Sequence, residues 1–257
     1  MTRHIDFEGV ENFRDFGGYD TASGRSLKRN LLFRSANHAR ATDEDLAAMA
    51  ALGIRVVVDL RRKNEREREP SRRWTSFDAA VIDNDLDGEH QDWLEFVKDS
   101  DLSPAWFHAH SLDYYRSAPL ETRHLDLFTR YFQALAATDG PVLVHCAAGK
   151  DRTGLICAFT HHIAGVHRDD LLADYMLTND EDRIARRAGL FVAWASELLG
   201  RPLSDAAART ALSVHPDYLD TAIAAIDAAY GSLDVYLEKA LGVDQALREK
   251  IQAQILA

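Results

Sequence analysis

VLVHCAAGKDRTG, residues 142–154, runs from three apolar residues into a histidine, a cysteine and two glycines that bracket Lys150, Asp151 and Arg152. Gly140-Pro141 ends the preceding segment, so Val142–Val144 reads as a short buried strand. The apolar RTGLICAFTHHIAGV (152–166) that follows reads as a helix. A strand that hands a loop to a helix N-terminus places backbone N–H groups where an anion can meet them. Gly149 and Gly154 permit the tight curvature and close approach such a cradle needs, and Ala147, Ala148, Gly149, Lys150, Thr153 and Gly154 are read together as the residues that bind the anion. Cys146 sits at its base. A free thiol is mostly protonated at neutral pH, and a helix N-terminus with nearby cations shifts it toward the nucleophilic thiolate. Arg152 can hold two phosphate oxygens with its planar fork, where a lysine offers a point charge. Thr153 brings a hydroxyl suited to steadying the sulfur as a leaving group, and His145 points away from the ligand to orient the loop.

Outward from this stretch, LLFRSA (31–36) and RVVVDLR (55–61) read as strands. TDEDLAAMAALGI (42–54) between them reads as a helix, with Thr42 as N-cap, acidic residues in the first turn and Gly53 at its end. NEREREPSRRW (64–74) is taken as a solvated helix start and turn rather than a binding patch. SFDAAVIDNDLDGEH (76–90) reads as a strand running into an acidic loop, and residues 91–138 as helical. From residue 152 onward the chain reads as helical to its end. No repeat or linker divides it. The expectation is one α/β domain over residues 1–257, a central, mostly parallel sheet flanked by helices, with a helical C-terminal third.

The chain has 257 residues, 46% apolar and 28% charged, with a net charge of -11. That balance argues against nucleic-acid partners and against adhesion to acidic lipid, so any bound anion must be caught locally. Neither a signal-peptide core nor a run of apolar residues of membrane-spanning length is present. The expected location is the cytoplasm, with signal-less export left open. If the intervening residues are helical, Cys146 and Cys157 lie about 16 Å apart, too far for a disulfide. The 11 histidines lack structural-metal spacing, and adjacent His161 and His162 point to different sides of a helix. No metal or other cofactor is expected.

The frame His-Cys-x5-Arg-Thr-Gly at 145–154 resembles the phosphate-binding loop of the cysteine-dependent protein tyrosine phosphatases. With Lys150 and Asp151 inside the loop, it is similar to the atypical bacterial tyrosine and lipid phosphatases. NFRDFGGY (12–19), LLFRSA, VVVDLR, DDLLADYMLTND (169–180) and residues 215–243 match that family's landmarks in order. The resemblance implies metal-independent hydrolysis of phosphomonoesters on protein or phosphoinositide substrates: phosphotyrosine, with phosphoserine, phosphothreonine and phosphoinositides as further candidates. Cys146 would form a phosphocysteine, stabilised by Arg152 and the loop amides. The proton donor that related enzymes carry in a Trp-Pro-Asp tripeptide has no counterpart here. Asp151 is the preferred candidate and Asp85, flanked by Asp83 and Asp87, the alternative. Lys150 would add charge at the mouth or meet further phosphates of an inositol ring.

Arg14 with Asp15, and Asp59 with Arg61, could line the pocket, although buried ion pairs are the preferred account. Tyr115 could stack on an aryl substrate or be a half-buried aromatic. Residues 181–210 could form a cover over the pocket or an ordinary packing helix pair. A catalytically silent phosphate-binding module is the alternative function, disfavoured because a reader has no need of the nucleophile. A sulfur-transferring enzyme is disfavoured because such loops lack this frame. Oligomeric state is left open.

Overall fold

The computed structural model describes residues 3–86, 97–98 and 101–257. Asp87 and most of 91–100, read above as part of an acidic loop and a helical stretch, lie outside the described residues. Five strands, β1 (Arg14–Asp15), β2 (Leu32–Ser35), β3 (Val56–Asp59), β4 (Ala80–Ile82) and β5 (Val142–His145), form a sheet in the order β1-β2-β5-β3-β4. Only β1 runs antiparallel to its neighbour.

The central strands are short apolar runs because both faces of the sheet are covered. Their side chains alternate between two cores. Val56, Val58, Val142 and Val144 enter the larger one, while Val57, Leu143 and Phe33 enter the smaller. Registers on the two sides of β5 agree: His145 lies opposite Ser35 on β2 and Asp59 on β3. Three strands therefore end in one row, and the loops leaving them converge there.

Helices α1 (Asp43–Ala51) and α2 (Lys63–Arg68) follow β2 and β3. Thr42 closes a capping box on α1: its hydroxyl accepts from the Asp45 N–H, and Asp45 accepts from the Thr42 N–H, an arrangement worth about 1 kcal/mol. Asp45 also accepts from the Glu8 and Gly9 amides, which fastens the N-terminal segment. Helices α3 (Pro104–Ser117) and α4 (Thr122–Ala137) occupy the stretch read as helical before β5.

After β5 the described chain is helical: α5 (Asp151–Ala164), α6 (Arg168–Met176), α7 (Glu181–Leu199), α8 (Asp205–Leu212), α9 (Pro216–Tyr230), α10 (Leu233–Lys239) and α11 (Gln245–Ile255). Helix α5 is buried on nearly every face and ends at Gly165 in the left-handed conformation, as expected of a helix at the centre of a core. Helices α7 and α8 make a third cluster, with Ala188, Ala195, Ala207 and Ala208 against Phe107 of α3. Among the described residues no helix is long and apolar enough to cross a membrane.

Candidate active site

Cys146 leaves β5 at the row of strand ends and is 2% exposed, at the floor of a cleft of about 330 Å³. The loop from Cys146 to Lys150 turns into the N-terminus of α5, whose first amides have no intrahelical acceptor. The loop carbonyls are tied back on the far side. Ala147 O accepts from the Asn37 amide and side chain at 3.1 and 3.2 Å. Gly149 O accepts from Asn12 Nδ2 at 2.8 Å and from Arg34 at 3.0 Å. Gly149 has φ +63°, and a Cβ there would lie 2.4 Å from the Ser35 carbonyl oxygen, so the turn and the close approach both call for glycine.

Beneath this loop lies a buried charge network. Asp174 of α6 pairs with Arg34 at 2.9 Å and with Arg14 at 3.5 Å, all three being almost completely enclosed. Burial raises the Asp174 carboxyl, but the two guanidiniums outweigh it and bring it down to about 2. Arg14 also bonds to Asn12, so the NFRDFGGY segment grips the underside of the loop. Neither Arg14 nor Asp15 lines the cleft. Asp15 instead accepts from the Gly17 and Asn30 amides, so it is not the partner of Arg14. Asp59 and Arg61 form a buried pair at 2.7 Å.

His145 is fully buried, with Nδ1 3.4 Å from the Cys146 carbonyl oxygen, Nε2 3.6 Å from Asp59, and its ring 4.3 Å from that of His38. Burial lowers it to about 4, against the pull of Asp59. Thr153 is also buried, and its hydroxyl has no partner among the described residues. Gly154 packs on the Tyr175 ring, which a Cβ would meet at 2.7 Å.

Arg152 reaches the cleft and is held there by Glu65. NH1 donates to Oε2 at 2.5 Å and NH2 to Oε1 at 2.8 Å, while NH1 also donates to Leu60 O at 3.1 Å. Three of the five guanidinium N–H groups are thereby used. The fork made by Nε and the second N–H of NH2 remains for a ligand. Burial works against both charges, yet each partner overrides it: Glu65 falls to about 2 and Arg152 rises well above its ordinary value. Glu65 is itself placed by the start of α2, where it accepts from the Arg62 N–H at 2.7 Å. The charged run 64–74 is therefore not merely solvated. Its Glu65 and Glu69 are part of the cleft wall, a role hidden in sequence by the acidic and basic neighbours on either side.

Asp151 opens α5 and lines the cleft. Its Oδ1 accepts from Tyr115 Oη at 3.1 Å, and its Oδ2 lies 3.6 Å from Lys150 Nζ. Tyr115 is wholly enclosed, so it is neither half-buried nor placed to stack on a ligand; Tyr114 lines the cleft in its stead. Lys150 lines the cleft and is tied to its α8 side, donating to Ala211 O at 2.6 Å and to Ser213 O at 3.3 Å. Asp85 stands on the surface, paired with Arg66 and 3.6 Å from Lys63, and does not line the cleft. Arg187 and Phe191 of α7, with Leu212 of α8, also line the cleft.

Cys157 is free and buried, and burial pushes its thiol up to about 12, a poor nucleophile. His161 bonds to the Phe16 carbonyl oxygen and His162 to Asp234. Among the described residues no group of three or more His, Cys, Asp or Glu is placed to hold a metal ion.

Comparison with known proteins gives a family match over residues 5–257, described as the tyrosine phosphatase family. A Cupriavidus necator protein assigned as a tyrosine-protein phosphatase is 35% identical over 253 residues, covering 95% of this chain and 86% of that one. The triple specificity protein phosphatase PtpB of Mycobacterium tuberculosis is 31% identical over 274 residues, covering 96% of this chain and 97% of that one. A tyrosine-protein phosphatase of Nostoc commune is 28% identical over 242 residues, covering 90% and 76%.

Proposed function

The chain belongs to the tyrosine phosphatase family and is a phosphatase, and from that premise we propose that it hydrolyses phosphomonoesters without a metal, through a phosphocysteine on Cys146. The observation that carries this reading is the placement of Cys146 and the Arg152 fork around one cleft at the N-terminus of α5. The Cys146 thiolate attacks phosphorus in line. An S–P bond forms as the ester P–O bond breaks, and the departing oxygen takes its electron pair and a proton from Asp151. Water then attacks phosphorus and gives its proton to Asp151, and the S–P bond breaks to return the thiolate. The Nε and NH2 edge of Arg152, with the amides of Ala147, Ala148, Gly149 and the start of α5, stabilises the equatorial oxygens. Thr153, with its unsatisfied hydroxyl, is read as the group that steadies the sulfur, and Gly154 as the residue that lets the helix start sit close.

Phosphotyrosine is the principal substrate in this reading, because Phe107, Tyr114 and Phe191 give the cleft aromatic walls. Phosphoserine, phosphothreonine and phosphoinositides are further substrates. The triple specificity named for the M. tuberculosis relative supports that breadth. Residues 1–257 are read as one catalytic unit, in keeping with a family match that spans nearly the whole chain. The test is hydrolysis of p-nitrophenyl phosphate in EDTA by the wild type and by Cys146→Ser, followed by phosphotyrosine peptide, phosphothreonine peptide and phosphoinositide panels. Activity that survives Cys146→Ser, or that needs a metal, sinks the proposal.

A further inference from the structure

Three tyrosines lie behind Asp151. Tyr175 Oη and Tyr115 Oη are 2.7 Å apart, Tyr115 Oη donates to Asp151 Oδ1 at 3.1 Å, and the Tyr115 ring lies against that of Tyr218 with centroids 5.4 Å apart. Each phenol has one proton to give. Since the Tyr115 proton goes to the carboxylate, its oxygen accepts the proton of Tyr175, and the chain has one direction: Tyr175 to Tyr115 to Asp151. Burial holds the Tyr115 phenol well above its ordinary value, so it remains a donor throughout the neutral range.

The consequence falls on the carboxyl group. An oxygen that already receives a phenolic hydrogen is poorly placed to carry a proton of its own, so the transferable proton belongs on Oδ2. Asp151 is part-exposed, its side chain 28% accessible, and Lys150 Nζ stands 3.6 Å from Oδ2, too far for a hydrogen bond that would fix the group, so without Tyr115 the carboxyl could rotate about χ2 and exchange its two oxygens. Tyr115 comes from α3, and Tyr175 from α6 packs on Gly154. The hydrogen bond thus ties the carboxyl to two helices outside its own.

We infer that Tyr115 is a positioning residue for proton transfer, fixing Asp151 in the one orientation that presents a protonated Oδ2 to the leaving oxygen. This rests on the reading of Asp151 as proton donor. Tyr115 never meets the substrate. It acts by keeping the donor from turning.

Leaving-group dependence tests this, because protonation matters most when the departing oxyanion is basic. In Tyr115→Phe the ring and its contact with Tyr218 stay and only the hydroxyl is lost. The expected result is a fall of about tenfold in kcat/KM for phenyl phosphate and of less than about twofold for 2,4-dinitrophenyl phosphate. Adding the change to Asp151→Asn should cost nothing more in that ratio. A misfolded fraction lowers both substrates alike, so the ratio is insensitive to folding. If Asp151→Asn discriminates between the two substrates and Tyr115→Phe does not, the positioning role is wrong and the donor stands. If Asp151→Asn itself fails to discriminate, the donor assignment falls, and the role of Tyr115 falls with it.

Discussion

Glu65 and Arg152 meet along two parallel hydrogen bonds, 2.5 and 2.8 Å long, across 87 residues of sequence. The pair fixes the guanidinium plane before any ligand arrives, and it uses the end of the fork rather than the side. Glu65→Gln keeps the shape but removes the charge and one acceptor. The expected outcome is a loss of about tenfold to a hundredfold in kcat/KM toward aryl phosphates, the scale set by misplacing a positioning group. An unchanged value would mean that Arg152 is held by Leu60 and the helix alone.

Gly149→Ala asks for a left-handed backbone that costs about 1–2 kcal/mol in a residue with a Cβ, and it drives that Cβ into the Ser35 carbonyl group. The substitution should lower the melting temperature and abolish turnover together. Retained activity with an unchanged melting temperature would show that the loop does not run as described.

Asp174→Asn leaves two enclosed guanidiniums, Arg14 and Arg34, without their counter-charge. Breaking such a pair from one side costs about 3 kcal/mol or more, readable as a shift of the urea midpoint. Because Arg34 also holds Gly149 O, activity should fall before global unfolding does. A variant as stable as the wild type would contradict the enclosed network.

Acid should destabilise the protein in two stages. His145 is lowered from 6.5 to about 4 by burial, so between these values the unfolded chain binds the proton and the folded one does not. Its contribution is complete above pH 6.5 and is lost as pH falls to about 4, on the order of 3 kcal/mol in all. Glu65 and Asp174, both depressed to about 2, contribute above their ordinary values of about 4, and that contribution disappears as pH falls through about 2. Urea unfolding at stepped pH checks the order. His145→Asn should shrink the first stage, which buried His38, His124 and His161, also lowered by burial, share with it, and should leave the second unchanged; a first stage of undiminished size in that variant would assign it to those other histidines.

Lys150→Met removes the donor from the last carbonyls of α8 while keeping an apolar stem. Losing about 1 kcal/mol of local stability raises the open population about fivefold, which trypsin would report as faster cleavage after Arg201 or Arg209. If α7 and α8 act as a cover, a phosphate analogue should slow that cleavage in the wild type. Cleavage indifferent to the analogue would make them a packing pair.

The sheet and the loop were legible in sequence for a physical reason. Val56–Asp59 and Val142–His145 are buried on both faces, so apolar character persists along them without alternation, and Thr42 and Gly53 mark the two ends of one helix by their own chemistry. Glu65 was not legible. It lies in a stretch whose composition signals solvent, and its partner is fixed only once β3 and β5 are adjacent. Asp174 likewise finds Arg14 across 160 residues. Tyr115 was read as an aromatic body, yet its hydroxyl is what the fold uses, and only the folded chain brings it to Asp151 at the start of α5.

His145 is opposite Ser35 on one side and Asp59 on the other, so two neighbours count off the same residue of β5. Inserting or deleting one residue between Pro141 and Cys146 would exchange the faces of the strand and move the sulfur about 3.3 Å along its axis. Here arithmetic outranks chemistry: the strand can trade one branched side chain for another, but its length is the ruler by which the nucleophile is delivered.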